Sequence, residues 1–248
     1  MFSNIRTIEF DKRIALPGTI DLMAGPRGNP EKHPEPRQGG RGPGRPPAAE
    51  REQLEQRLLD LAERELVERG AGAFTMDGVA ARAGASKGTL YAWFGNREGL
   101  LRIVIERNAD RAAEGVRAAL AGDAPAPQVL TGFAHGLLTL LTGEVSIALN
   151  RAAMSTPTLA QTLLESGRFR IGPLVEEYLR QAHRRGELHV PDAAAAFRQL
   201  YGLIVQDAQI IALLGGPAPG RERVRRQARQ AVEAFLSLHQ APADRPTP

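Results

Sequence analysis

The 248-residue sequence contains no cysteine, a single tryptophan and only three lysines, Lys12, Lys32 and Lys87. Because cysteine is absent, the chain forms no disulfide and offers no thiolate as a nucleophile or a metal ligand. It also has no run of eighteen apolar residues, so the sequence predicts no membrane-spanning helix. These absences favour a protein of the reducing cytoplasm that has no membrane partner.

Residues typical of catalytic sites are sparse as well. No two histidines are spaced i, i+4, and no acid cluster at metal-ligand spacing accompanies them. The five histidines are at positions 33, 135, 183, 189 and 239. The glycine-rich stretches lie in linkers, and nothing marks a phosphate-cradling loop or a nucleophile turn. We therefore expect no enzymatic activity, no cofactor and no bound metal.

The charge balance and the composition of the chain ends constrain the function further. The formal net charge is +4 and the pI is about 9.9, which favours a polyanionic partner without identifying one. Residues 1–49 form a basic leader rich in Gly, Pro and Arg, and we expect disorder there and in residues 241–248. Within the leader, residues 41–47 favour either an arm that enters the DNA minor groove or a solvated linker.

The segment from residue 74 to 101 is the most informative part of the sequence. Thr75 is placed to cap a short helix, and Gly84 follows that helix at a turn that needs positive φ. Ser86 is placed to cap a second helix, and Asn96 a third. Short helices joined by such a tight turn form a helix-turn-helix, whose second helix lies in the DNA major groove.

The residues around the second helix suit a nucleic-acid surface. Its first turn contains Ser86 and Gly88, which are small enough for the backbone to approach base edges. From Arg82 to Arg97 the sequence has three cations, Lys87 included, and no acid. This window predicts an unopposed positive field of the kind that favours a phosphate backbone.

The segment resembles the DNA-binding domain of the TetR/AcrR family of transcriptional regulators. The matching residues are Thr75, Val79, Ala80, Ala83, Gly84, Ser86, Gly88, Thr89, Leu90, Tyr91, Phe94, Arg97, Glu98 and Leu100. Ala85 departs from a usual Val, Trp93 from a usual His, and Arg97 from a usual Lys, which alters the donor geometry. The basic leader after Met23 is similar to that of the family, so we hypothesise that Met23 rather than Met1 is the native start.

We expect the DNA contacts to divide between phosphates and base edges. Thr75 and Tyr91 are expected to reach phosphates through their hydroxyls, and Arg97 through its charge. Lys87 and Thr89 are best placed for base edges. Trp93 either lies against the sugar-phosphate backbone or closes the domain core. The predicted DNA-binding residues are Thr75, Arg82, Ser86, Lys87, Gly88, Thr89, Tyr91, Trp93 and Arg97.

Apolar residues recur at helical spacing through the remainder of the chain, and no segment alternates as a strand does. Residues 50–70 read as a first helix that Gly70 stops, and Asn96 begins a long helix that runs to about Leu120. In the resembled family this long helix carries the ligand signal to the DNA-binding domain. Breaks at residues 122–127 and 186–192 separate the later helices.

The sequence therefore predicts an all-α protein. An N-terminal three-helix helix-turn-helix DNA-binding domain occupies residues 50–101, and a C-terminal helical ligand-binding and dimerisation domain occupies residues 102–240. Residues 126–214 resemble, more loosely, the ligand-binding domain of an AcrR-like branch of the family.

The helix predicted from Asp192 to Leu214 is apolar almost all round, which indicates burial on more than one side. In so small a domain the second burying surface is expected to be another subunit. The resemblance implies the same arrangement, in which the last two long helices pair with their copies as a four-helix bundle. The predicted dimer-interface residues are Phe197, Leu200, Tyr201, Ile204, Ala208, Ile211, Val232 and Phe235.

These features lead to a functional hypothesis with open alternatives. A homodimeric repressor would bind a palindromic double-stranded DNA operator, and a small apolar effector would release it. Alternatives are an activator with the same DNA-binding domain, or a dimeric helical adaptor that has no DNA function. The candidate ligand-pocket residues, each of which is otherwise ordinary core, are Phe133, Leu137, Met154, Phe169 and Tyr178.

Overall fold

The structure, a computed structural model, describes residues 48–122 and 124–240, and all the regular elements in these two ranges are helices. The all-α prediction is confirmed. Helix α1 begins at Ala48, so the leader predicted as disordered to residue 49 is helical at its last positions. The remainder of that leader, with the minor-groove arm and the Met23 start, lies outside the described residues, as does the tail from residue 241.

Capping residues define the starts of the N-terminal helices. These helices are α1 Ala48–Ala73, α2 Met76–Ala83, α3 Lys87–Phe94 and α4 Arg97–Leu120. Thr75, Ser86 and Asn96 each accept a hydrogen bond from the backbone N–H three positions further on, at 3.0, 3.0 and 2.8 Å. The predicted caps of α2, α3 and α4 are therefore confirmed. Gly70 has a φ of +72° and interrupts α1, so the chain makes one more turn before Ala73.

The C-terminal helices fold back against α4 and α1. They are α5 Ala126–Thr142, α6 Glu144–Ala153, α7 Pro157–Leu163, a π-helical turn at Leu164–Arg168, α8 Phe169–Arg184, α9 Ala193–Val205, α10 Ala208–Leu213 and α11 Arg221–Leu238. The single helix predicted from Asp192 to Leu214 is wrong, because Gln206 adopts a φ of +47° and separates α9 from α10. Gln227 of α11 stabilises this break by donating a hydrogen bond to the Ile204 carbonyl at 2.8 Å.

Helix α4 belongs to both hydrophobic cores of the described chain. Its first turns, with Leu101 and Ile105, pack into the helix-turn-helix core beside residues of α6 and α7. Its later turns, with Ala113 and Val116, pack into the C-terminal core. The two halves of the chain are therefore joined by one continuous helix, and the N-terminal core extends well past residue 101.

The predicted dimer stripe is instead core within a single chain. Phe197, Leu200, Ile204, Ala208, Val232 and Phe235 are buried without any second subunit, because α9 packs between α8, α11 and α5. Tyr201 and Ile211 are partly buried. The prediction is wrong for the six buried residues, since helical periodicity identifies a buried face but not the surface that covers it.

Four apolar side chains that are exposed or half-buried lie near the end of α9, around α10 and at the end of α11. Ile210 is 50% exposed, Leu214 is 82% exposed and Leu238 is also exposed, while Leu203 is half-buried. We call these four residues the outer apolar patch. Leu203 also packs against the C-terminal core, whereas Ile210, Leu214 and Leu238 belong to neither core.

No single helix among the described residues is long and apolar enough to cross a membrane. Helices α5 and α6, whose axes differ by 57°, reach that length and hydropathy only when taken together.

Phe235→Ala distinguishes a core position from an interface position. Phe235 is completely buried in one chain, so its truncation should lower the free energy of unfolding by about 3–5 kcal/mol. Gln230→Ala, on the exposed side of the same helix and outside the outer apolar patch, is the control and should cost less than about 0.5 kcal/mol. Urea unfolding at a fixed protein concentration measures both, and equal losses would contradict the single-chain core.

Candidate nucleic-acid interface and effector cavity

Helix α3 is held by two apolar residues and presents its other side to solvent. Leu90 and Phe94 are buried in the N-terminal core, whereas Lys87 and Gly88 are exposed and Tyr91 is 49% exposed. Gly84 ends α2 with a φ of +62°, and its N–H bonds back to the last turn of that helix. The chain thus forms a helix, a tight turn and a second helix with a polar outer side.

The hydroxyl groups predicted for DNA contact already have roles as caps. Thr75 Oγ1 accepts the Gly78 N–H, and Ser86 Oγ accepts the Thr89 N–H. Ser86 Oγ also lies 2.9 Å from Thr89 Oγ1, so the exposed Ser86 and the half-buried Thr89 share a hydrogen bond. The Tyr91 hydroxyl lies on an exposed side chain one helical turn after Lys87. Tyr91 is therefore the better placed of the predicted phosphate contacts.

The cations predicted to form an unopposed positive field are all engaged with protein groups. Lys87 Nζ lies 2.6 Å from Asp77 Oδ2 on α2, and both side chains are exposed. The Asp77 carboxylate accepts a hydrogen bond from Lys87, and this bond raises the pKa of Lys87 above its usual range. The expectation of an unopposed field is wrong, because the sequence window excluded acids that the fold brings in from α1 and α2.

Arg82 is held by two acids of α1. Its guanidinium lies 3.2 Å from the buried Glu65 carboxylate and 2.5 Å from that of Glu68. Glu65 also pairs with Arg69 at 3.0 Å, although its oxygens accept no hydrogen bond of ordinary geometry. A Cβ at Gly78 would lie 2.5 Å from Glu65 Oε1, so α2 can approach this acid only because residue 78 is glycine. Arg82 thus ties α2 to α1.

Arg97 and Trp93 also serve the domain itself. Arg97 donates from Nε to the Phe74 carbonyl at 3.2 Å and from Nη2 to the Ala71 carbonyl, which fixes the start of α4 against the end of α1. Only Nη1 has no protein partner among the described residues. Trp93 is half-buried, meets Phe94 edge to face at 6.4 Å, and lies under Arg51 at 5.3 Å. This packing favours the core-closing role for Trp93.

A cavity of about 260 Å³ lies between α4, α5, α6, α8, α9 and the π-helical turn. We call it the effector cavity, after the ligand pocket predicted from the sequence. Phe133 and Leu137 line it, as predicted, together with Leu140, Ile171 and Phe197. Its polar lining, which sequence reasoning missed, consists of Asn108, Ser146, Asn150, Arg168, Tyr201 and Gln209. Isolated polar residues on amphipathic helices carry no sequence signal that separates a cavity wall from a solvated face.

Three of the predicted pocket residues lie elsewhere. Met154 is 68% exposed after the last turn of α6, and Phe169 is 63% exposed at the start of α8. The π-helical turn before Phe169 shifts the helical register, so Ile171 rather than Phe169 faces the cavity. Tyr178 is buried away from the cavity near Arg185, and this burial raises the pKa of its hydroxyl. The pocket prediction is wrong for these three residues.

A second apolar recess of about 220 Å³ adjoins the effector cavity between α4 and α5. The two spaces share the walls formed by Ala112, Phe133, Leu137 and Leu140. All the other residues around the recess are small or aliphatic: Gly115, Val116, Ala119, Gly132 and Gly136. We call this space the glycine recess.

Ion pairs fix α4 on the sides that do not face the cavity. Arg107 lies 2.9 Å from Asp60 and 2.6 Å from Glu63 of α1. Asp110, in the next turn, pairs with Arg170 of α8. Helix α4 therefore has charged links to the helix-turn-helix domain and to α8 within a single turn. Within residues 48–122 and 124–240, no group of three His, Asp or Glu side chains is arranged to hold a metal ion.

An all-helical chain that combines a capped helix-turn-helix with a second helical domain has the architecture of a DNA-binding transcriptional regulator. Comparison with known families gives the same class. Residues 58–104 match the family described as "Bacterial regulatory proteins, tetR family", and residues 128–241 match "AefR-like transcriptional repressor, C-terminal domain".

Solved structures extend this likeness over most of the described chain. A TetR transcriptional regulator from Agrobacterium tumefaciens is 37% identical, covers 76% of this chain and 95% of its own, and superposes with a TM-score of 0.60. A TetR-family regulator from Mesorhizobium loti shares the fold at 22% identity and a TM-score of 0.70, covering 76% of this chain and 98% of its own. A search of curated protein sequences gives no match.

The chain belongs to the TetR family of transcriptional regulators. The predicted family is thus confirmed, and so is the fold of an N-terminal helix-turn-helix followed by a C-terminal helical domain.

The Asp77–Lys87 pair leads to a prediction about DNA affinity. Asp77→Asn removes a carboxylate that competes with DNA for Lys87, so binding to any duplex should become about twofold to fivefold tighter at low salt. Glu114→Gln, which removes an exposed acid of α4, is the control and should change little. Titration of a labelled duplex by fluorescence anisotropy measures both variants. Unchanged or weaker binding by Asp77→Asn would mean that Asp77 positions Lys87 rather than competing for it.

Proposed function

We propose that this protein is a homodimeric repressor that binds a palindromic operator and leaves it when a small, largely apolar effector fills the effector cavity. The observation that carries the proposal is the position of Ile105. This residue of α4 is buried in the N-terminal core and also lines the cavity. A ligand that contacts Ile105 therefore touches the same packing that supports α3.

Coupling between the two sites follows from the fixed attachments of α4. A ligand shifts an equilibrium only by its difference in affinity for the two states. Asn108, Ala109 and Ala112 continue the cavity wall along α4, so a ligand contacts several turns of this helix. A tilt of α4 would change the distance between the two α3 helices of a dimer. This distance must match the separation of the two DNA half-sites for both helices to bind.

The repressor role has support from the C-terminal match, since that family is described as a repressor domain. An activator with the same DNA-binding domain remains the first alternative, and the exposed side of α3 serves either role. A dimeric adaptor without DNA function is the second alternative. The exposed Lys87 and Tyr91, which have no core function, favour DNA binding over the adaptor.

Selection from a pool of random duplexes at low and high salt tests the DNA function. We expect enrichment of a palindrome, since a two-fold dimer presents a pair of α3 helices. Lys87→Ala should relax preference at one base position of each half-site, whereas Tyr91→Phe should weaken all sequences alike through a lost phosphate contact. Arg198→Ala, an exposed arginine of α9, is the control. Salt-sensitive binding without an enriched sequence would remove the operator and favour the adaptor.

The dimer is proposed to form through the outer apolar patch. Each of its residues would gain burial from a second copy, and α9, α10 and α11 would then form the interface with their outward sides. Ile210→Glu and Leu214→Glu place a charge in this surface without disturbing either core.

These charges should convert the dimer to a monomer, which light scattering coupled to size-exclusion chromatography measures. Met154→Glu, at an exposed apolar residue outside both the patch and the effector cavity, is the matched control and should stay dimeric. Circular dichroism should show unchanged helicity in all three variants. A patch variant that remains dimeric would exclude this interface.

A further inference from the structure

The lining of the effector cavity carries charge of one sign only. Arg168 is its one charged side chain, and neither Asp nor Glu contributes to the wall. The side chain of Arg168 is exposed at the edge of the cavity and forms no ion pair or hydrogen bond with any described residue. Arg170, two positions further on, pairs with Asp110. The fold thus neutralises one of two neighbouring arginines and leaves the cavity arginine without a counter-charge.

The geometry of Arg168 leaves its donors available. Its guanidinium carbon lies 4.3 Å from the centroid of the Tyr201 ring, which is also part of the cavity wall. Stacking on an aromatic face orients a guanidinium but uses none of its N–H groups. The planar fork of an arginine matches the oxygens of a carboxylate or a phosphate. A cation in the same space would be repelled, and the cavity wall contributes no acid to offset the repulsion.

Neutral hydrogen-bonding groups accompany Arg168 in the wall. The side-chain amides of Asn108 and Gln209 bond to no described residue, and Asn150 uses only its Nδ2, as a donor to the Ser146 carbonyl at 2.8 Å. A polar ligand end would therefore find both donors and acceptors near the arginine. Apart from Ser146, the rest of the wall is mostly aliphatic and aromatic and includes Phe133 and Leu137.

The glycine recess extends the apolar part of this space. It shares Phe133 and Leu137 with the effector cavity and contains no polar side chain. Gly132 and Gly136 lie inside α5, where glycine destabilises a helix relative to alanine. A Cβ at either position would meet nothing within 4 Å, so the protein itself does not require these glycines for packing. Both glycines are exposed, so the recess opens to solvent, and the absence of side chains there leaves a groove along which an apolar chain from the cavity can extend.

We propose that the effector is an anionic amphiphile, whose carboxylate or phosphate pairs with Arg168 and whose apolar chain runs past Phe133 and Leu137 into the glycine recess. This proposal rests on the proposed role of the cavity as the effector site. It adds the chemical class of the ligand, the orientation of the ligand and the residue that selects the charge.

Probes of equal chain length and different head group test the charge preference. Dodecanoate, dodecyl phosphate, dodecan-1-ol and dodecyltrimethylammonium are titrated into the full-length protein without DNA, below the concentrations at which they form micelles, and calorimetry reports binding. We expect both anions to bind at least about tenfold more tightly than the cation, with the alcohol between them. Equal or tighter binding of the cation, or no binding of any probe, would overturn the proposal.

Arg168→Gln separates the charge contact from general packing. It should weaken dodecanoate binding about tenfold or more and leave dodecan-1-ol binding unchanged. Arg198→Gln is the matched control, since Arg198 is an exposed arginine outside the cavity wall. An equal loss for the acid and the alcohol would show that Arg168 is only a part of the wall, and the proposal would fail.

Filling the glycine recess tests the orientation of the chain. Gly136→Leu should abolish binding of dodecanoate but retain that of octanoate, whose shorter chain ends before the recess. Gly136→Ala should have a smaller effect in the same direction. Equal affinities of Gly136→Leu and the native protein for dodecanoate would contradict the chain placement. Circular dichroism checks that the variants fold. We expect native helicity, because a side chain at residue 136 meets no neighbouring atom within 4 Å.

The operator-binding assay keeps this proposal separate from the proposed function. Anion-selective binding that does not change operator affinity would support the ligand class and exclude the regulatory role of the cavity. Ligand release of the operator by dodecan-1-ol and dodecyltrimethylammonium alone would support regulation and exclude the anionic class.

Discussion

The packing of α4 into two cores is the constraint on which the other features depend. Its first turns hold the helix-turn-helix together, and its later turns close the C-terminal core. Arg107 and Asp110 then fix it by ion pairs to α1 and to α8. Close-packed interiors transmit displacement rather than absorbing it. A displacement of α4 at the cavity wall therefore also affects packing in the N-terminal core. A displacement in that core likewise affects the cavity wall.

An ion pair within the helix-turn-helix suggests how the protein limits indiscriminate DNA binding. Lys87 is paired with Asp77 before any DNA arrives, and both side chains are exposed. Contact with DNA is then an exchange of partners, and an exposed pair loses little when it is exchanged. The exchange is most favourable where base edges replace the lost contact. A paired cation thus lowers affinity for all duplexes while preserving the difference between them, which is what specificity requires.

Local chemistry made part of this fold predictable from the sequence. The caps Thr75, Ser86 and Asn96 were correctly placed because a cap depends on residues three positions apart. Partners distant in sequence were not predictable: the acids of α1 opposite Arg82, and the single-chain neighbours that bury Phe197 and Phe235. For the cavity, Phe133 and Leu137 followed from amphipathic pattern. Its polar groups and the register shift at the π-helical turn depend on tertiary packing, which one sequence does not display.

Arg168 stands where these constraints meet. It ends the π-helical turn, faces Tyr201 of α9, and lies two residues before the arginine that links α8 to α4. A charged ligand head held by Arg168 would act on the same short segment that carries this link. The apolar chain would meanwhile contact α4 at Ile105 and Ala109. Coupling energies between sites are typically about 1–3 kcal/mol, roughly a fivefold to 150-fold change in affinity. A ligand that engages α4 from its own wall and through α8 can reach this range without distorting either core, because it need only favour one position of a helix that both domains already share.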